Sequence, residues 1–263
     1  MILVLGGTTE GRRLAESLAE AGHRVVLSLG GVTRRPVLPP GVEVRVGGFG
    51  GVAGLCEYLA DEGVRVLVDA THPFAEQMTR NAVQACALQG TPMLRLDRPG
   101  WSDHPDADRW LWVPGHREAA EAARDAGRRI LLTVGRQHTL DYAEALGDRF
   151  VLARIAEAPA EGWQLPASWV VEEARGPFPL ADETELMRRH GIEVLVTKDA
   201  GGTATRAKLD AARVQGVQVV MITRPPAPPG VVVVRGPSQA LHAVRDGHVC
   251  VPEVDETRSS PAT

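Results

Sequence analysis

Short apolar runs, each closed by a glycine or a polar turn and followed by apolar residues at helical spacing, recur along most of this chain. "ILVL" leads into a helix expected over Glu10 to Ala21, and "HRVVLSLG" is a second strand. "VEVRV" runs through "GGFGG" into Val52 to Glu62, "VRVLVDA" precedes a helix over Phe74 to Leu88, and "PMLRL" follows as a fifth strand. Few of these strands alternate between apolar and polar residues, so both of their faces are buried. That pattern belongs to parallel sheets covered by helices on each side.

With 263 residues, the chain is long enough for two such units. The rhythm stops at "DRPGWSDHPDADRW", Asp97 to Trp110, which has prolines, aspartates and no period. The expected organisation is a domain over residues 1–98, a second over 99–250 with 99–112 as the link, and a solvated tail over 251–263. In the second part the strands are "RRILLTVG", "RFVLARIA", "SWVVEEARG", "IEVLVTK" and "VQVVMI", with helices near His138 to Ala145, Leu180 to His190 and Thr205 to Gln215. "RPPAPPG" then crosses to "VVVVRG" and a last short helix. The fold class is α/β, two Rossmann-like domains with parallel sheets flanked by helices and an active site in the cleft between them.

Charge and composition remove several functions. Acidic and basic residues are interleaved with a net charge of only −4, which argues against a nucleic-acid surface or a polybasic membrane patch. No apolar stretch approaches the eighteen or so residues of a membrane span, and no charged leader precedes the first strand, so the expected location is the cytoplasm. Cys56, Cys86 and Cys250 lack metal-ligand spacing, and no metal site is expected.

The turn "LGGTTEG" carries the first chemistry. A strand that ends in glycine and flows into a helix presents backbone N–H groups and the positive end of the helix dipole, which suits a phosphate. Relative to the dinucleotide pattern G-x-G-x-x-G, Gly6 and Gly11 are in frame and Thr8 replaces the middle glycine. Gly6, Gly7, Thr8, Thr9 and Glu10 are the candidate contacts, against the alternative of a tight turn with no ligand. The second strand ends "LSLGGVTRR", with Ser28, Thr33, Arg34 and Arg35 and no acid to claim a ribose 2′-hydroxyl. That set fits the 2′-phosphate of NADPH. In the next strand ends, Gly47, Gly48 and Phe49 offer bare backbone, and Thr71 and His72 of "DATHPFA" are placed for the nicotinamide, with Pro73 opening the following helix. His72 is the candidate catalytic group, with a structural role as its rival.

In the second half the informative residues are cations near strand ends. Arg136 and Gln137, Arg154, Arg175, Lys198 and Lys208 accompany the glycine-rich helix entrance Gly201, Gly202 and Thr203. Together they suit a ligand with several carboxylates or phosphates. No Tyr-x-x-x-Lys relay, G-x-S-x-G elbow, H-E-x-x-H or P-loop is present. A reductase would therefore rest on how cofactor and substrate are gripped.

Taken in order, "LGGTTE", "GGFGG", "DATHPFA", "RPGW", "GRQH", "RGPF", "KDAGG" with "KLDAA", and "VVMITRP" resemble the precorrin-6A reductases of cobalamin biosynthesis, from Ile2 to about Pro225. The resemblance implies an NADPH-dependent oxidoreductase of the CH-CH class that reduces one macrocycle double bond of precorrin-6A to give precorrin-6B. It implies a tetrapyrrole partner edged with carboxylates, and brief contact with neighbouring enzymes of the pathway. Many members have Asn-Ser or Asn-Ala where this chain has Asp199 and Ala200. A cobalt-precorrin-6A substrate, another NADPH enzyme such as an epimerase, and a non-catalytic nucleotide sensor are the other readings.

Overall fold

A computed structural model describes residues 1–31, 40–157 and 163–253. The chain divides into two compact units, one of Met1–Arg98 with Pro225–Thr263 and one of Pro99–Arg224.

The first unit opens with strand β1 (Ile2–Leu5), helix α1 (Thr9–Glu20), β2 (Val25–Leu29) and β3 (Glu43–Val46). Helix α2 (Gly51–Asp61), β4 (Val66–Asp69), α3 (Glu76–Gln89) and β5 (Met93–Leu96) follow. Successive β1 residues serve opposite faces: Ile2 and Val4 join the core beneath α1, Leu3 and Leu5 the core beneath α2 and α3. Both cores exclude water, which is why these strands read as unbroken apolar runs. Helix α3 starts two residues later than the sequence suggests. Pro73 sits in a turn closed by Ala75 N–H donating to the His72 carbonyl at 2.8 Å, so it is not the first helical residue.

The second unit holds β6 (Leu111–Val113), α4 (His116–Ala126), β7 (Arg129–Leu132), α5 (Ala143–Leu146), β8 (Phe150–Ile155) and β9 (Trp169–Glu173). It continues through α6 (Leu180–Arg189), β10 (Val194–Lys198), α7 (Ala207–Gln215) and β11 (Gln218–Ile222). The helix expected near His138 is instead two 3-10 turns, Arg136–His138 and Leu140–Tyr142, running into the short α5. β6 and α4 escape the sequence reading. β6 is a three-residue edge strand with an exposed Leu111, and α4 buries only small alanines, Ala119, Ala120 and Ala123.

With a twelfth strand, β12 (Val232–Val234), both sheets are six-stranded, ordered β3-β2-β1-β4-β5-β12 and β9-β8-β7-β10-β11-β6, and all their strand pairings are parallel. Each sheet grows outward in both directions from a central pair, β1 with β4 and β7 with β10. At such a reversal, adjacent strands send their connections to opposite faces and leave a crevice at the carboxyl edge, the ligand position of open α/β sheets.

The C-terminal segment corrects the expected domain boundary. β12 (Val232–Val234) pairs with β5, and α8 (Pro237–Arg245) packs on α1, so residues 225–253 belong to the first unit although sequence continuity suggested the second. The reason is apolar. Ala240 and Ala243 complete the core under α1, and Cys250 bridges to Met93. The tail positions 254–263 lie outside the described residues.

Replacing Ala240 with Asp places a charge at a fully buried position and is expected to cost roughly 3 kcal/mol or more. Hydrogen exchange should show lost protection in β5 and α1 with β7 and β10 unaffected; loss confined to β7 and β10 would contradict the assignment of α8.

Candidate functional site

In the first unit the loops after β1 and β4 meet at the sheet's reversal. Gly7 has φ of 122°, and a side chain there would meet nothing within 4 Å, so its backbone faces open space in a conformation suited to glycine. Gly11 serves packing: a β-carbon would lie 2.9 Å from the Ala70 side chain, so α1 approaches β4 closely only with glycine there. Gly6 is likewise pressed against Leu27.

Thr8 caps α1. Its hydroxyl accepts from Gly11 N–H at 3.0 Å and donates to the Ala70 carbonyl at 2.9 Å, stitching the two loops together. The Thr8 side chain is thus already engaged within the protein. Thr9 opens α1, whose first N–H groups have no acceptor within the helix. Glu10 accepts from Arg98 at 2.7 Å, and these two line a small hollow with Thr8, Thr71, Pro73 and Leu96. Arg98 escapes the sequence reading because nothing in "LDRPG" signals a return to the first loop.

The loop after β4 is organised by Asp69, which is fully buried. It accepts from Thr71 N–H at 3.0 Å, the Thr71 hydroxyl at 2.6 Å, the Thr79 hydroxyl at 2.7 Å and Arg95 at 2.5 Å. A buried carboxylate needs these donors. Thr71 is therefore a loop-forming residue whose hydroxyl is not offered outward. His72 is half-buried, and its Nδ1 accepts the Phe74 N–H at 3.2 Å. That bond leaves Nδ1 unprotonated and puts the neutral ring's proton on Nε2.

At the other side of the sheet, Ser28 is buried at the end of β2 and accepts from Arg45 at 3.4 Å. Arg45 also donates to the carbonyls of Gly47 and Gly48 at 2.6 and 2.7 Å and lies 3.8 Å above the Phe49 ring, which packs edge-on against Tyr58. Phe49 is thus a platform for Arg45, and Gly47 and Gly48 turn their carbonyls to the guanidinium. Only the arginine's two-residue offset from a glycine turn hinted at this. Thr33, Arg34 and Arg35 lie outside the described residues.

In the second unit, Arg136 and Gln137 sit on the loop after β7, and Gly201, Gly202 and Thr203 on the loop after β10. These loops flank the second reversal. Gly201 has φ of 64° and passes so close to the Pro99 carbonyl that a β-carbon would lie 2.1 Å from it. Asp199 holds this region together, accepting from Trp101 N–H at 2.7 Å and from Arg224 Nε at 3.0 Å.

The six basic or amide candidates of this unit separate by their partners. Arg154 is buried and forms a two-pronged pair with Glu183 at 2.8 and 2.9 Å, its guanidinium over Phe178. Its charge is thus matched inside the protein, against the expectation of a cation offered to a ligand's carboxylates. Arg175 is exposed and paired with Glu157. Arg136 makes no ion pair among the described residues and is half-buried, and Gln137 is exposed. Burial pushes Lys198 down to about 8. Burial also pushes Lys208 down to about 7, with Arg154 and Lys198 adding and Glu183 opposing; its ammonium donates to the Thr133 hydroxyl at 3.0 Å. Both ammonium groups stand in a desolvated setting that an arriving carboxylate would relieve.

Among the described residues no cluster of three or more His, Cys, Asp or Glu side chains could hold a metal, and no helix is long and apolar enough to cross a membrane.

Comparison with known proteins decides the family. Residues 1–245 match the model of the precorrin-6x reductase CbiJ/CobK family. The chain belongs to the precorrin-6x reductase family. It is therefore an oxidoreductase. A precorrin-6A reductase of Rhodococcus erythropolis is 49% identical over 87% of this chain and 90% of its own length. That of Rhodobacter capsulatus is 45% identical over 86% and 89%. A cobalt-precorrin-6A reductase of Priestia megaterium is 30% identical over 86% and 91%. A solved structure, CobK precorrin-6A reductase, superposes with a TM-score of 0.86 at 41% identity, covering 96% of this chain and 99% of that one.

Asp69→Ala would strand Arg95 without its anion. We expect a loss of about 3–5 kcal/mol in chemical denaturation, whereas His72→Asn, at a half-buried loop position, should leave the denaturation midpoint almost unmoved. A mild Asp69→Ala effect would contradict the organising role of that carboxylate.

Proposed function

We propose that this precorrin-6x reductase reduces one double bond of precorrin-6A to give precorrin-6B with NADPH as reductant, in the cytoplasm. The observation that supports the reading is the pairing of two unlike reversal sites in one chain. The first is built of bare glycine backbone and a helix N-terminus; the second is bordered by Arg136, Lys198 and Lys208.

The first unit fits a phosphorylated dinucleotide. Gly7 lets a pyrophosphate approach the backbone, and the N-terminal turn of α1 meets it with N–H groups and dipole. Arg98 offsets the Glu10 carboxylate beside that position. Beside the end of β2, Ser28 and Arg45 supply a hydroxyl and a positive charge, and the sequence that follows, "GGVTRR", has two arginines and no acid. His72 presents its Nε2 N–H as a hydrogen-bond donor to position a nicotinamide carboxamide. When bound, the dihydronicotinamide supplies the hydride.

The second unit fits the substrate. A precorrin carries carboxylates around its rim, and Arg136, Lys198 and Lys208, with the backbone of Gly201, Gly202 and Thr203, hold that rim and fix which bond is presented. Arg154 and Arg175 act one step back, ordering the neighbouring β8 and β9 ends through Glu183 and Glu157. The cobalt-free ring is the favoured substrate, because the relatives named for it are 49% and 45% identical and the cobalt-precorrin relative is 30% identical.

Steady-state kinetics with precorrin-6A test this reading. We expect oxidation of NADPH coupled to loss of precorrin-6A, with kcat/KM for NADPH about ten- to a hundredfold above that for NADH, the value of one charge-assisted contact to phosphate. NADH used equally well would contradict the 2′-phosphate assignment, and binding of NADPH without turnover would favour a nucleotide sensor.

A further inference from the structure

Reduction of a ring C=C bond needs two inputs, a hydride at one carbon and a proton at the other. The hydride is the dinucleotide's to supply, and the proton needs a donor of its own. The loop that carries Arg136 and Gln137 ends in His138, whose side chain remains 42% exposed at the carboxyl edge of the second sheet.

His138 is held from two sides. Its Nδ1 lies 2.9 Å from the Asp141 carboxylate, and an ionised carboxylate only accepts, so Nδ1 carries a hydrogen and Nε2 is the position left for exchange. Its ring lies flat on His116, with centroids 4.0 Å apart and planes 13° from parallel. His116, the first residue of α4, is anchored in turn by its Nδ1 to the hydroxyl of fully buried Tyr142 at 2.9 Å. Burial, then the neighbouring His138 and Lys198, push His116 down to about 4, with Asp141 opposing. It is a neutral ring at neutral pH, and burial raises Tyr142 well beyond the range in which it gives up its proton. The charged and titratable groups around the pair are thus Asp141 and Tyr142 from the following turn, His116 from α4, Lys198 from the end of β10 and Arg136 from the same turn.

We propose that His138 is the catalytic acid of the reduction, with Asp141 and His116 as positioning residues; this rests on the reading of the second unit as the precorrin-6A site. In the step, the π bond of one ring C=C breaks and two C–H bonds form. One comes from the hydride of a dihydronicotinamide, which is oxidised as the ring is reduced. The other comes from Nε2–H of protonated His138, whose N–H electron pair stays on nitrogen, leaving a neutral imidazole that solvent reprotonates. Asp141 stabilises the imidazolium before transfer, and the His116 face keeps the ring from turning away.

Single-turnover reduction of precorrin-6A by NADPH, followed from about pH 6 to 9 across the histidine range, tests this in wild type, His138→Gln and Asp141→Asn, alongside equilibrium titration of precorrin-6A and NADPH binding. We expect wild type to slow as pH rises, since the acid is lost. His138→Gln should be about a hundredfold slower, the low end of what a positioned acid contributes, with that pH dependence gone and both affinities unchanged. Asp141→Asn, which frees the ring from its 2.9 Å partner, should also slow the reduction with both affinities unchanged; at an exposed pair it does not threaten folding and so decides the matter alone if His138→Gln is unstable. Wild-type rate and pH profile in His138→Gln, a wild-type rate in Asp141→Asn, or a loss explained wholly by weaker binding would overturn the proposal. A wild-type protein that binds both compounds and turns neither over would overturn the functional reading itself, and the acid with it.

Discussion

Everything functional in this chain depends on one constraint of parallel sheets. When both faces of a sheet are covered by helices and every pairing is parallel, all strand carboxyl ends and all helix amino ends share one edge. The reversal of strand order between β1 and β4, and again between β7 and β10, opens a gap at that edge. Residues far apart in sequence then become neighbours. Thr8 reaches the Ala70 carbonyl, Arg98 reaches Glu10, and Lys208 reaches Thr133 for this reason alone.

The strands were legible because they are buried on both faces, and the turns because glycine marks them. What stayed hidden follows from the same physics. β6 is too short and too exposed to form an apolar run, and α4 packs through alanines, which give a weak periodic signal beside its many charges. The return of β12 to the first sheet is invisible locally, since "VVVVRG" would fit the edge of either sheet. Only the core under α1, which needs Ala240 and Ala243, settles the choice.

The candidate residues show a sharper limit. Sequence placed these loops at the carboxyl edge of the sheets but could not tell a side chain that builds a loop from one left to face outward. Thr8, Thr71 and Arg154 each satisfy a buried partner, because a buried polar group left without one costs more than a hydrogen bond returns. Glu183, which neutralises Arg154, lies 29 residues away on α6, and no spacing rule connects them. Asp69, three residues before His72, is the anchor for Thr71, Thr79 and Arg95. Asp199 binds both a backbone N–H and Arg224, and the carboxylate suits the arginine.

In the proposed division of labour, the dinucleotide binds the first unit and the tetrapyrrole the second. Hydrogen exchange read by mass spectrometry, with NADP⁺ alone and with precorrin-6A alone, tests that division most directly. If that division holds, NADP⁺ slows exchange in Gly6–Glu10 and Thr71–Phe74, and precorrin-6A slows it in Gly135–His138 and Gly201–Thr203. Protection of the second pair of loops by NADP⁺, with the first pair unchanged, would contradict it.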